Sequence, residues 1–126
     1  MNKDEVKRKR KEDLTDLFKN LALEASPILV EGKRDKEALV RAGIDGSRIF
    51  MHHGKSRIEV EESIGNASEV IMMLDYDAEG LKMLDELKAI FESSKIRVNT
   101  RYWSKIREIF NGHIDCIENL RGYFDP

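Results

Sequence analysis

The sequence predicts an α/β fold: a Rossmann-like, four-stranded parallel sheet in the order 2-1-3-4, flanked by helices and preceded by an extra N-terminal helix. Three observations carry that expectation. Short apolar runs alternate four times with stretches of helical period, the pattern of a parallel sheet with helical crossovers. Two of those runs, residues 28–30 and 70–74, are apolar without interruption, as strands covered on both faces must be. Finally, 126 residues that are 40% hydrophobic and 37% charged, with two prolines, suffice for one such sheet and its core but not for two full domains. Residues 1–26 then read as a charged helical extension and 27–126 as the sheet domain, within one compact unit.

Taken in order, residues 1–13 hold six bases (Lys3, Lys7, Arg8, Lys9, Arg10, Lys11) against four acids, with Val6 the one internal apolar residue. Such a run is a solvated helix or a frayed terminus, with a phosphate-binding arm as the alternative. Leu14, Leu17, Phe18 and Leu21 follow at i, i+3, i+4 and i+7, an amphipathic helix that ends near Ser26-Pro27. Residues 27–31 form the first strand, and Gly32-Lys33-Arg34-Asp35 leads into a helix through about Ala42. The second strand is 48–52, followed after Gly54 by a helix over 57–64. Residues 70–75 are the third strand, and Leu81, Leu84, Leu87, Lys88 and Phe91 mark one face of the helix behind it. The fourth strand, 96–100, alternates Ile96, Val98 and Thr100 with Arg97, Asn99 and Arg101, which suits a sheet edge. Trp103, Ile106 and Phe110 give one further helix; Ile114, Ile117 and Leu120 give another. With strands one and three central, right-handed crossovers yield the flavodoxin-like order 2-1-3-4. Its switch point falls between strands one and three, where ligands bind at the strands' carboxyl ends.

Composition bounds the function. With 22 Lys+Arg against 24 Asp+Glu the net charge is −2, so any basic surface is local. The single cysteine, Cys116, excludes an internal disulfide framework and a Cys-rich zinc site, and suits a reducing cytoplasm. No apolar run approaches a bilayer span, and residues 1–5 lack the core of a signal peptide, so the chain reads as soluble, unprocessed and cytoplasmic.

At the predicted switch point stand Glu31 and Asp75, with Asp77 two residues on. Adjacent strands lie about 4.8 Å apart, so these carboxylates converge, and like charges that close call for a proton or a cation between them. Oxygen ligands without thiolate suit Mg²⁺, Mn²⁺ or Ca²⁺ rather than Zn²⁺. Gly32 permits close backbone approach, Lys33 offers a charge to a phosphate, and Asp35 either caps its helix or reaches the metal indirectly. Gly80 lies in a first helical turn whose free N–H groups favour anions. Asp77 and Asp35 both also suit plain helix caps; Glu31, ending an apolar central strand, has no capping duty.

These residues resemble a known family. Val30-Glu31-Gly32-Lys33-Arg34-Asp35-Lys36-Glu37-Ala38-Leu39 is similar to the first motif of the Toprim domain, and Met73-Leu74-Asp75-Tyr76-Asp77-Ala78-Glu79-Gly80 to its second, the Asp-x-Asp motif followed by glycine. Toprim domains occur in type IA and type II topoisomerases, bacterial primases, OLD-type nucleases and a ribosomal-RNA maturation nuclease. The resemblance spans about residues 27–99. It extends to small, stand-alone, mostly archaeal Toprim proteins that begin with a charged helix and end in a Gly-His-Ile/Val segment, here Gly112-His113-Ile114. The resemblance implies a Toprim-like fold, with Glu31 as general acid or base and metal contact, Asp75 and Asp77 as main metal ligands, and Asp35 as an auxiliary catalytic acid. The implied cofactor is Mg²⁺, with Mn²⁺ as substitute. No separate domain carries a nucleophilic tyrosine, and Tyr76 sits inside the metal motif, so strand passage is not implied.

Two acid-free stretches flank the cluster. Residues 95–107 carry five bases with Tyr102 and Trp103; residues 46–58 carry Arg48, Lys55 and Arg57 with His52 and His53. Lys33, Lys55, Arg57, Arg101 and Trp103 are therefore the candidate phosphate or nucleic-acid contacts, with Trp103 or Tyr102 stacking on an unpaired base. Trp103 also fits the core of the last α/β unit. The His52-His53 pair points to opposite strand faces, which argues against a metal pair. The expectation is a metal-dependent enzyme, nuclease-like, acting on RNA or DNA as a monomer or homodimer. The alternatives are a non-catalytic nucleic-acid-binding module in repair or RNA processing and an enzyme of small phosphate esters.

Overall fold

The computed structural model describes residues 1–124. Helix α1 (Lys3–Leu23) starts at an Asn2 cap, whose side chain accepts from the Glu5 N–H, and buries Leu14, Leu17, Phe18 and Leu21. The charged residues of the extension and the apolar stripe thus belong to one helix, whose second half is part of the core. The chain then runs β1 (Ile28–Val30), α2 (Lys33–Arg41), β2 (Ile49–Met51), α3 (Arg57–Ile64), β3 (Glu69–Met72), α4 (Ala78–Ser93), β4 (Arg97–Asn99) and α5 (Arg101–Ile109). A 3₁₀ helix, Ile117–Tyr123, closes it. The sheet has four strands, all parallel, in the order β2-β1-β3-β4, as the sequence predicts.

The central strands are apolar because both faces are covered: Ile28, Leu29, Val30 and residues 70–74 are 0–1% exposed. Burial on this scale drives the fold, each such side chain contributing about 1.5–3 kcal/mol. Ile28 lies beside Ile49 on one flank and Ile71 on the other. Extending that register sets Glu31 opposite Leu74, one residue before Asp75. Pairing continues past β2 as well, where the His53 N–H donates to the Glu31 carbonyl at 2.9 Å.

Four local readings change. Leu81 is 39% exposed, because α4 turns Leu84, Leu87 and Phe91 inward with Gly80. Asn99 is buried instead of solvated: its side chain meets Glu69 at 3.4 Å and caps the Arg101 N–H at 2.8 Å. The helix expected over Ile114, Ile117 and Leu120 begins only at Ile117 and is 3₁₀. Arg48 lies before β2, at the amino end of the sheet, where its guanidinium binds the carbonyls of Leu21 and Ser26 and so closes the end of α1. Among the described residues no helix is long and apolar enough to cross a membrane.

Candidate functional site

The carboxylates converge at the carboxyl ends of β1 and β3. Glu31 follows the last residue of β1 and hydrogen-bonds the Asp75 carboxyl. This shared bond, with partial burial and the charges of Asp75, Asp35 and Asp77, raises its pKa from an ordinary 4.5 to about 7. Asp75 Oδ1 accepts the Ile117 N–H at 3.2 Å. Asp77 caps α4, its Oδ1 accepting the Gly80 N–H at 2.7 Å, so that N–H is not free for an anion. Asp35 is 7% exposed and uses both oxygens, accepting the Gly32 N–H at 3.0 Å and the Glu118 N–H at 3.1 Å. Burial, opposed by the Gly32 hydrogen bond and reinforced by Asp75, raises its pKa to about 6. Asp35 thus ties the loop after β1 to the C-terminal segment, buried and with both oxygens engaged by the backbone.

The raised values have a consequence for stability. Between pH 4.5 and about 7 the folded protein holds more protons on Glu31 than the unfolded chain does, so stability falls as pH rises through that window and is level above it. Glu31 is only partly buried, so screening reduces the effect to on the order of 1 kcal/mol. Denaturant unfolding at pH 5 and pH 8 should show this loss in the wild type and a smaller one in Glu31→Gln. An equal loss in both would remove Glu31 as its source.

The basic and aromatic candidates divide. Lys33, the first residue of α2, and Lys55, on the loop that leaves β2, are exposed. Arg57 is held by Glu86, which links α3 to α4. Arg101 is exposed and lines, with Lys9, Asp13, Tyr102 and Lys105, a groove of about 780 Å³ between α1 and α5, away from the acids. Trp103 is not a stacking platform: it is 7% exposed, its indole N–H donates to the Leu74 carbonyl at 2.8 Å, and its ring stacks on Tyr76 at 4.6 Å. Tyr76 in turn donates to the Trp103 carbonyl at 2.7 Å, and burial pushes its phenol well above the ordinary range, away from nucleophilic use. Tyr102 donates to Glu24 at the end of α1. Both aromatics brace the scaffold, and through Leu74 and Tyr76 α5 holds the Asp75–Asp77 turn from behind.

Two contributors escaped the sequence reading. His52 is half-buried beside the cluster, and burial lowers its pKa. The residues around 115–118 fold over the acids through their backbone, giving two N–H groups to Asp75 and Asp35 and taking the Tyr76 N–H on the Asp115 carbonyl at 2.7 Å. Backbone donors have no residue signature, whereas His52 carried a weak signal as the polar end of a strand.

The donor set suits a hard divalent cation. Among the described residues, the Glu31 carboxylate and the second oxygens of Asp75 and Asp77 take no hydrogen bond from the backbone, and burial pushes the Cys116 thiol up, away from the thiolate form. Among the described residues, however, no three His, Cys, Asp or Glu side chains already stand as a ligand shell. A cation among Glu31, Asp75 and Asp77 would offset the like-charge repulsion that helps raise the Glu31 pKa.

No protein-family model matches the chain. In the solved structures, an Aquifex aeolicus protein has the same fold, with a TM-score of 0.65 and 24% identity over 94% of this chain and 98% of its own. By sequence, the chain is 32% identical over 115 residues to a UPF0292 protein of Methanocaldococcus jannaschii, covering 89% of this chain and 90% of that one. It is 31% identical over 123 residues to a UPF0292 protein of Methanosarcina barkeri, covering 94% and 85%. At that identity over nearly the full length of both partners, the chain belongs to the UPF0292 family.

Proposed function

We propose that the protein is a Mg²⁺-dependent phosphoryl-transfer enzyme acting on nucleic acid, a small nuclease. The observation that carries the proposal is the Glu31–Asp75 carboxyl pair at the switch point, with Glu31 poised near neutrality. A group whose pKa lies near working pH both takes and returns a proton efficiently, which is the demand on a general acid or base. The resemblance of both motifs to Toprim supports the same assignment. On this reading Glu31, Asp75 and Asp77 hold Mg²⁺, or Mn²⁺ in its place, and Asp35 and the C-terminal backbone position them. The bound cation supplies Lewis-acid polarisation of the scissile phosphate. Glu31 must be deprotonated for this, so cation affinity should rise with pH up to about 7. Lys33, at the start of α2, and Lys55, on the loop after β2, both exposed, orient the phosphates.

The absence of a ready ligand shell among the described residues favours a second reading, a non-catalytic nucleic-acid-binding module. One experiment separates the two. Purified protein is incubated with structured RNA and with single- and double-stranded DNA in Mg²⁺ or Mn²⁺, with small phosphate esters alongside. The nuclease reading expects cleavage that falls at least about a hundredfold in Glu31→Gln and in Asp75→Asn, a loss of about 2.7 kcal/mol of transition-state stabilisation. Binding without turnover, unchanged in both variants, would establish the module instead.

A further inference from the structure

The residues Lys3, Lys7, Arg10, Leu14, Leu17 and Leu21 are spaced 4, 3, 4, 3 and 4 apart along α1, so they lie on one stripe of one helix. The last three are 0–7% exposed in the core. The first three turn the same stripe from apolar to cationic, and the switch is marked by Arg10, whose guanidinium lies 5.1 Å from the Phe110 ring centroid. Around that point Lys3, Lys7, Arg8 and Lys11 are exposed, and none of them is in an ion pair among the described residues; of the bases in 3–11 only Lys9 is, with Asp13 at 3.1 Å.

Charge is divided just as sharply. Residues 3–11 carry six bases and two acids, a net +4, which leaves −6 on the rest of a chain whose total is −2. Off this helix, two of the five candidate phosphate contacts are occupied: Trp103 is in the core and Arg57 is bound to Glu86. We propose that the first three turns of α1 are a polyanion-binding arm that grips a nucleic-acid backbone through Lys3, Lys7 and Lys11. A membrane surface fits less well, because Val6 is the only apolar residue among 3–11 and an interfacial helix needs an apolar face.

The arm is placed to serve the acidic site. Arg10 lies on Phe110, Phe110 packs edge-on against Tyr123 at 5.4 Å, and Tyr123 ends the 3₁₀ helix whose first two residues hold Asp75 and Asp35. Two ring contacts and one short 3₁₀ helix therefore connect the arm to the segment that covers the carboxylates. The inference rests on the reading proposed above only in taking the polyanion to be nucleic acid.

The test uses the full chain in EDTA, with labelled single-stranded RNA and duplex DNA of about 20 nucleotides or base pairs, titrated by anisotropy over a range of salt. Combined Lys3→Gln, Lys7→Gln and Lys11→Gln substitution should weaken binding at least about tenfold and make the slope of log K against log salt shallower by about 2 to 3. The corresponding three-fold Lys→Arg variant should restore both. Unchanged affinity and slope in the Gln variant, no binding by the wild type at low salt, or binding only to phosphatidylserine vesicles would each overturn the arm. Its failure is separable from that of the enzymatic reading. Cleavage with an unaltered KM in the Gln variant removes the arm and leaves the nuclease. Arm-dependent binding with no cleavage in any metal keeps the arm and removes the nuclease.

Discussion

Gly80→Ala is expected to destabilise the protein by about 3 kcal/mol or more, read as a fall in ΔG from urea unfolding. A Cβ at this position would stand 2.2 Å from the Asp75 carbonyl oxygen and 2.7 Å from its carbonyl carbon. Both obstacles are backbone, so no side-chain rotation relieves the clash. The start of α4 must retreat, carrying with it the Asp77 cap whose Oδ1 holds the Gly80 N–H. Any metal-induced rise in Tm should fall with it, since Asp75 and Asp77 share the displaced turn. Gly32 is the internal comparison. Its backbone is extended and a Cβ there would meet nothing within 4 Å, so Gly32→Ala should cost less than about 1 kcal/mol. Equal costs at the two positions would refute this account of Gly80.

Trp103→Ala should cost about 3–5 kcal/mol, the range for deleting a buried aromatic side chain. The indole fills space between α5 and the sheet, stacks on Tyr76 and satisfies the Leu74 carbonyl. Trp103→Phe keeps an apolar ring but leaves that carbonyl unpaired, so about 1–3 kcal/mol is expected. If the protein binds single-stranded nucleic acid as proposed above, the Phe variant, held well below its Tm, should bind it as the wild type does. A marked loss of binding with little loss of stability would instead return Trp103 to the role of a base-stacking residue.

Much of this was legible without the fold. Uninterrupted apolar residues at 28–30 and 70–74 identify central strands because only strands covered on both faces dispense with polar positions. The strand order followed from those two runs together with the handedness of crossovers, and the convergence of Glu31 and Asp75 followed from the order. Trp103 marks where reading by residue type stops. An aromatic among bases looks like a stacking platform, and the hydrogen bond to Leu74 that decides otherwise spans 29 residues of sequence. Arg57 and Arg48 likewise look like free cations until Glu86 and the end of α1 are brought against them.

The sequence by itself determined the sheet, its order and the meeting place of the acids, because apolar periodicity and connection handedness are properties of short stretches. Tertiary structure alone decided the state of those acids. The raised pKa of Glu31 depends on how near Asp75 stands across two strands, and the burial of Asp35 on a 3₁₀ helix 83 residues away donating a backbone N–H to it. Peptide N–H groups are the same at every non-proline position, so their contribution to the site is settled only when the chain has folded over it.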